Sequence, residues 1–125
     1  MFAGGAHSFS IFPLRVVYLR VEELDAPVAI LISVSKRRFK RAVKRNRVKR
    51  QLREAFRKNK HPLANLMRER KEKLVIGFIY LADRLSDSSE LEEKMRIALM
   101  RIEEKISSEE VLPVPEEPSD LVQIN

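Results

Sequence analysis

The chain has 125 residues, 44% of them hydrophobic, with 25 Lys+Arg against 18 Asp+Glu, two histidines and no cysteine. That length holds one domain with a modest core, and the missing cysteine excludes disulfides, thiolate nucleophiles and cysteine-based zinc sites, while His7 and His61 are too few for a histidine metal cluster. The longest apolar run, Leu74 to Ala82, falls short of the ~20 residues a membrane span needs, and no charged-then-apolar signal pattern opens the chain, so a soluble, cytoplasmic protein without a membrane partner is expected.

Leu14 to Val21 and Val28 to Val34 are rich in β-branched and aliphatic residues, and the segment from Glu22 to Pro27 between them carries turn chemistry. The pattern predicts an antiparallel hairpin. Ser35 is placed to cap the start of the next element, Phe39, Ala42 and Val43 share one helical face, and Val48, Leu52, Ala55 and Phe56 share another. This change of phase puts the start of the regular helix near Ala42, with Lys36 to Arg41 in a turn leading into it. His61-Pro62 breaks the helix, because the residue before a proline is pushed out of the α region, and a shorter helix runs through Leu63, Leu66 and Met67.

Lys73 to Ala82 is apolar at nearly every position, the pattern of a central strand covered on both sides, and it should lie parallel to Val28–Val34 in a β-α-β crossover. Ser89 and Glu92 have capping-box spacing, and Leu91, Met95, Ala98, Leu99, Ile102 and Ile106 follow at helical intervals, predicting a last helix packed on the sheet. The fold class is α+β, two layers of sheet and helices in the order β-β-α-(α)-β-α. A single domain is expected over residues 1–106. Residues 107–125, with three prolines, five acids and no base, read as a disordered acidic tail.

The charge is localised. Thirteen Lys and Arg lie between Lys36 and Lys58 with one acid, Glu54, leaving 12 bases against 17 acids elsewhere. A polyanion rewards that concentration, since each neutralised phosphate releases condensed counterions. A merely solvated helix mixes signs for intrahelical pairing, which this one does not. With Val48, Leu52, Ala55 and Phe56 inward, Asn46, Arg50, Arg53 and Arg57 form one outward stripe. Arg47 lies at its margin, Lys44 and Lys49 flank the buried face, and Arg45 falls near that face at the helix start. Cations around most of the circumference leave no broad apolar face for lipid insertion, and a homeodomain-like DNA reader would sit on a three-helix body without strands.

The run Ser33-Val34-Ser35-Lys36 followed by Lys40 to Arg57, with Arg45-Asn46-Arg47 at its centre, resembles the signature of the bacterial ribonuclease P protein component. The likeness extends more weakly from Phe2 to about Ile106. It implies a ribosomal-protein-like fold whose parallel strands are joined by a left-handed crossover, against the usual right-handed rule. It also implies a noncatalytic subunit of a ribonucleoprotein that cuts precursor tRNA to make the mature 5′ end, with Mg²⁺ and the chemistry belonging to the RNA subunit. The partners implied are that RNA and precursor tRNA, not DNA. Lys36, Arg37, Lys40, Arg41, Lys44, Arg45, Asn46, Arg47, Lys49, Arg50, Arg53 and Arg57 are the implied RNA contacts. Tyr18 and Phe2 fall where the family stacks the 5′ leader, whereas Phe9 and Phe12 are expected to pack. The family carries a basic N-terminal helix before its first strand, and only the end of it fits Met1-Phe2-Ala3-Gly4-Gly5.

Two rival functions remain on the residues alone. An autonomous nuclease needs paired histidines or converging carboxylates, but the acids sit in the first turn, the last helix and the tail. A ribosomal or chaperone-like RNA binder without a role in tRNA processing would share the fold, since fold alone does not set function. The Arg-Asn-Arg spacing favours ribonuclease P.

Overall fold

The computed structural model of the protein describes residues 5–109. Four strands, β1 (His7–Ile11), β2 (Leu14–Val21), β3 (Val28–Val34) and β4 (Lys73–Tyr80), combine with three helices, α1 (Ala42–Asn59), α2 (His61–Arg70) and α3 (Ser88–Ser107). The sheet order is β1-β2-β4-β3, with β4 antiparallel to β2 and parallel to β3. The architecture is thus α+β, and the parallel pairing of β3 with β4 across two helices is the crossover the sequence predicts.

The predicted β2–β3 hairpin does not form, because β4 lies between those strands. The reason is visible in β4 itself. Its residues Leu74, Ile76, Phe78 and Tyr80 are all fully buried, and an edge position would leave one side of this apolar strand without backbone partners. The hairpin that does form joins β1 to β2 around Phe12-Pro13, and β1 is a strand that the sequence pattern does not predict. Phe12, expected to pack, is 64% exposed at the tip.

One sheet face carries the core. Leu14, Val16 and Tyr18 of β2 stand opposite Tyr80, Phe78 and Ile76 of β4, and β3 adds Ile30, Ile32 and Val34 to the same face. The period of two places Val17, Leu19, Val75 and Ile79 on the other face, where they are half-buried. The apolar run of β4 predicts cover on both faces, yet among the described residues the helices contribute to one buried face only.

The lead-in turn is tied at Ser35, whose carbonyl accepts the N–H groups of Arg38 and Phe39 and whose hydroxyl accepts that of Arg37 at 3.0 Å. Phe39 is buried against Tyr80, ring centroids 5.9 Å apart, but Val43 is 78% exposed, so the face predicted to unite them does not exist. Phe39 precedes the helix and obeys the turn's geometry, not a 3.6-residue period. From Ala42 the helix is regular and buries Val48, Leu52, Ala55 and Phe56 as predicted. Each fully buried aliphatic side chain of this kind contributes about 1.5–3 kcal/mol of transfer free energy.

Asn59 and His61 mark the α1–α2 break, and α2 closes on Lys71, whose left-handed backbone (φ 58°) lets its N–H reach the Arg68 carbonyl. The predicted capping box of Ser89 and Glu92 is absent, since the N-cap is Asp87, two residues earlier, and α3 starts at Ser88. Its stripe from Leu91 to Ile106 is buried, but α3 lies mainly on α1 and α2 rather than on the strands. The helix runs to Ser107, and Glu109, assigned to the tail by sequence, is held: Arg20 Nη2 reaches its carboxylate at 2.5 Å and Arg70 Nη2 its carbonyl at 3.0 Å. Residues 110–125 lie outside the described residues.

Candidate nucleic-acid interface

Four buried side chains fix the rotation of α1 and thereby aim its charges. With Val48, Leu52, Ala55 and Phe56 in the core, Asn46, Arg47, Arg50, Arg53 and Arg57 are exposed together with Lys44, and Lys36, Arg37, Lys40 and Arg41 of the lead-in turn are exposed beside them. Among the described residues, the side chains of Lys36, Arg37, Lys40, Arg41, Lys44, Arg47, Lys49, Arg50 and Arg53 form no ion pair or hydrogen bond. Nine cations without protein partners, on one element and its approach, form a surface for which an external polyanion is the natural counter-charge.

Three of the predicted contacts stand apart. Arg45 is half-buried and donates to the carbonyls of Phe39 and Lys40 at 2.7 and 2.9 Å. Arg57 meets Glu54 through two hydrogen bonds, Nε to Oε1 at 3.0 Å and Nη2 to Oε2 at 2.5 Å, which offsets its charge at that end of the stripe. The same hydrogen bond holds the Glu54 carboxyl below its ordinary range and raises Arg57. Lys49 is half-buried beside the apolar face.

The second predicted site is the end of the sheet near Tyr18. Tyr18 is buried, 6% exposed, with the exposed His7 ring stacked on it at 5.2 Å and the Phe9 ring edge-on at 6.4 Å. Burial pushes the Tyr18 phenol up, the Glu109 carboxylate acts in the same direction, and Arg20 opposes them. The adjacent hollow, about 30 Å³ and edged by Arg20 and Glu109, has room for little more than water. Phe2 lies outside the described residues. Sequence reasoning alone leaves His7 as a surface residue. The missing signal is register, because only the pairing of β1 with β2 puts His7 opposite Tyr18.

Among the described residues no three His, Asp or Glu side chains gather into a group that could hold a metal ion. No described helix is long and apolar enough to cross a membrane.

The family model for ribonuclease P matches residues 5–103, and the ribonuclease P protein component of Porphyromonas gingivalis is 45% identical over 106 residues, covering 84% of this chain and 77% of that protein. The chain belongs to the ribonuclease P protein family. A second P. gingivalis strain has a component of the same identity and coverage, and the ribonuclease P protein of Thermotoga maritima is a structural relative with TM-score 0.47 and 22% identity, covering 82% of this chain and 78% of that one. Membership makes the chain the protein subunit of the ribonucleoprotein endoribonuclease ribonuclease P, which acts in tRNA processing, and sets the ribosomal or chaperone-like alternative aside.

Proposed function

We propose that the outward face of α1, through Asn46, Arg47, Arg50 and Arg53, and the lead-in cations Lys36, Arg37, Lys40, Arg41 and Lys44 bind the catalytic RNA subunit, with Lys49 and Arg57 at the margins. The observation that carries this reading is the set of cations left without protein partners on a helix whose opposite face is fully buried. Arginine forks match phosphate oxygens bidentately, and Asn46 adds a donor and an acceptor that a purely electrostatic patch lacks. Arg45 acts from beneath, holding the turn that presents its neighbours.

In this reading the protein is a binding subunit and catalysis is assigned to the RNA. Hydrolysis of the precursor tRNA 5′ phosphodiester, and the Mg²⁺ that serves it, belong to the RNA subunit. The protein's part is to bring two polyanions together, and a fixed cationic face lowers the Mg²⁺ concentration otherwise needed to screen them. The 5′ leader of precursor tRNA passes the sheet end at His7 and Tyr18, where aromatic rings offer stacking surfaces for unpaired bases.

Reconstitution tests this. Protein alone should leave precursor tRNA intact, and adding it to the RNA subunit should lower the Mg²⁺ requirement for cleavage. Activity that persists in RNA-free protein through repeated repurification would overturn it.

A further inference from the structure

Between the lead-in turn of α1 and the connection from β4 to α3 lies an open cavity of about 410 Å³. Arg38, Lys40, Arg41 and Lys44 line one wall, and Asp83 and Arg84 line the other. Five cations therefore face one carboxylate. Among the described residues none of the five has a side-chain hydrogen bond or ion pair, and Asp83 pairs with none of them. Like charges converging on one space repel, and the single lining carboxylate, Asp83, offsets only part of that repulsion.

Both walls are held in place. Arg45 ties the carbonyls of Phe39 and Lys40 to α1. Opposite, the Tyr80 hydroxyl donates to the Arg84 carbonyl at 2.8 Å and shares a 2.7 Å hydrogen bond with the Ser86 hydroxyl. Gln51 of α1 donates to the Ser86 carbonyl at 3.1 Å and to the Ser88 hydroxyl at 2.9 Å, so the connection is fastened to the basic helix itself. The rings of Phe39 and Tyr80 join the two walls from below. The cationic side chains are exposed while the backbone carrying them is fixed, an arrangement that pre-organises donors for an anion.

We propose that this cavity is a phosphate-binding site for an RNA strand, and that Arg84, more than twenty residues beyond the basic segment, is a binding residue of the same interface. The inference rests on the reading of α1 as an RNA-subunit binder. Arg41 and Lys44, at the start of α1, line the cavity and are among the cations assigned to the RNA subunit, so the cavity extends that interface. Arg38 and Arg84 converge on a phosphodiester from opposite walls, and Asp83 opposes its charge.

Full-length protein and the ribonuclease P RNA subunit provide the test, with binding measured over a range of salt. Tyr80 holds the Arg84 backbone rather than its side chain, so Arg84→Ala should retain the fold and melting temperature. It should weaken RNA binding several-fold and flatten the log-log salt slope by about 0.7 to 0.9. Asp83→Asn should shift affinity the other way, since it removes a repelling carboxylate. Inorganic pyrophosphate should raise the melting temperature of the wild-type protein more than that of Arg84→Ala, with no RNA present. Unchanged affinity and slope in Arg84→Ala, while Arg50→Ala loses both, would overturn the site but leave the α1 reading standing. Loss in neither variant would instead bring down the α1 reading. Weaker binding by Asp83→Asn, or an Arg84→Ala defect confined to precursor tRNA in the reconstituted complex, would equally refute a phosphate site for the RNA subunit.

Discussion

The guanidinium of Arg45 donates from Nη1 to the backbone carbonyl of Phe39 at 2.7 Å, six residues earlier and outside the helix that carries Arg45. A residue that sequence counts among the RNA contacts is therefore also a brace for the turn that displays them. Arg45→Ala should cost about 1 kcal/mol of folding stability, the usual net worth of such a hydrogen bond. Chemical denaturation decides the point, with Arg47→Ala, whose side chain has no described partner, as the control that should change little.

Arg50 and Arg53 face solvent, so replacing both by Ala should leave stability within about 0.5 kcal/mol of wild type. Affinity for the RNA subunit should drop, and the log-log salt slope should flatten by about 0.7 to 0.9 for each phosphate that an arginine no longer neutralises. Titrations at several salt concentrations measure this, and an unaltered slope would place these arginines outside the complex.

Leu52 behaves oppositely. It is fully buried under α1, so Leu52→Ala should cost about 2–5 kcal/mol while the folded fraction keeps its salt slope. Matching the unfolding midpoint with binding at low temperature separates the two effects.

Tyr18 lies under His7, so Tyr18→Ala should remove core volume as well as a ring, costing about 3–5 kcal/mol if it behaves like other buried aromatics. The informative variant is His7→Ala, which takes away the exposed ring alone. If leader bases stack there, affinity of the reconstituted complex should fall for precursor tRNA and hold steady for mature tRNA. Equal loss on both substrates would make the pair purely structural.

The carboxyls of Glu54 and Glu93 are lowered from their ordinary value of 4.5, each first by an arginine hydrogen bond, from Arg57 and Arg96 respectively. A depressed folded pKa stabilises the protein above the unfolded value and loses that contribution as pH falls through the folded one. Stability should therefore decline below about pH 4.5. The decline should be shallower in Glu54→Gln/Glu93→Gln, and melting curves from pH 7 down to pH 3 report it. Both pairs are exposed, so added salt should shrink the difference between variants.

Much of the interface is legible along the chain, because an α-helix converts spacing directly into direction. Once Val48, Leu52, Ala55 and Phe56 are recognised as inward, the outward placement of Asn46, Arg50 and Arg53 follows from 3.6 residues per turn, whereas the break falls at Lys60, and His61, expected to leave the α region before Pro62, instead opens α2 with the proline in its first turn. The stripe on α3 from Leu91 to Ile106 obeys the same rule. Spacing does not supply the non-local pairing. Nothing in Leu14–Val21 or Val28–Val34 says that β4 will enter between them, since strand order depends on which arrangement pairs the most apolar strand on both edges. Register likewise decided that His7 covers Tyr18, and the lead-in turn put Phe39 beneath Tyr80 while leaving Val43 in solvent. Local sequence thus determined the charged helix and the direction it faces. Only tertiary packing decided that Arg84 and Arg38 line one cavity, because that juxtaposition joins residues whose separation along the chain carries no periodic signal.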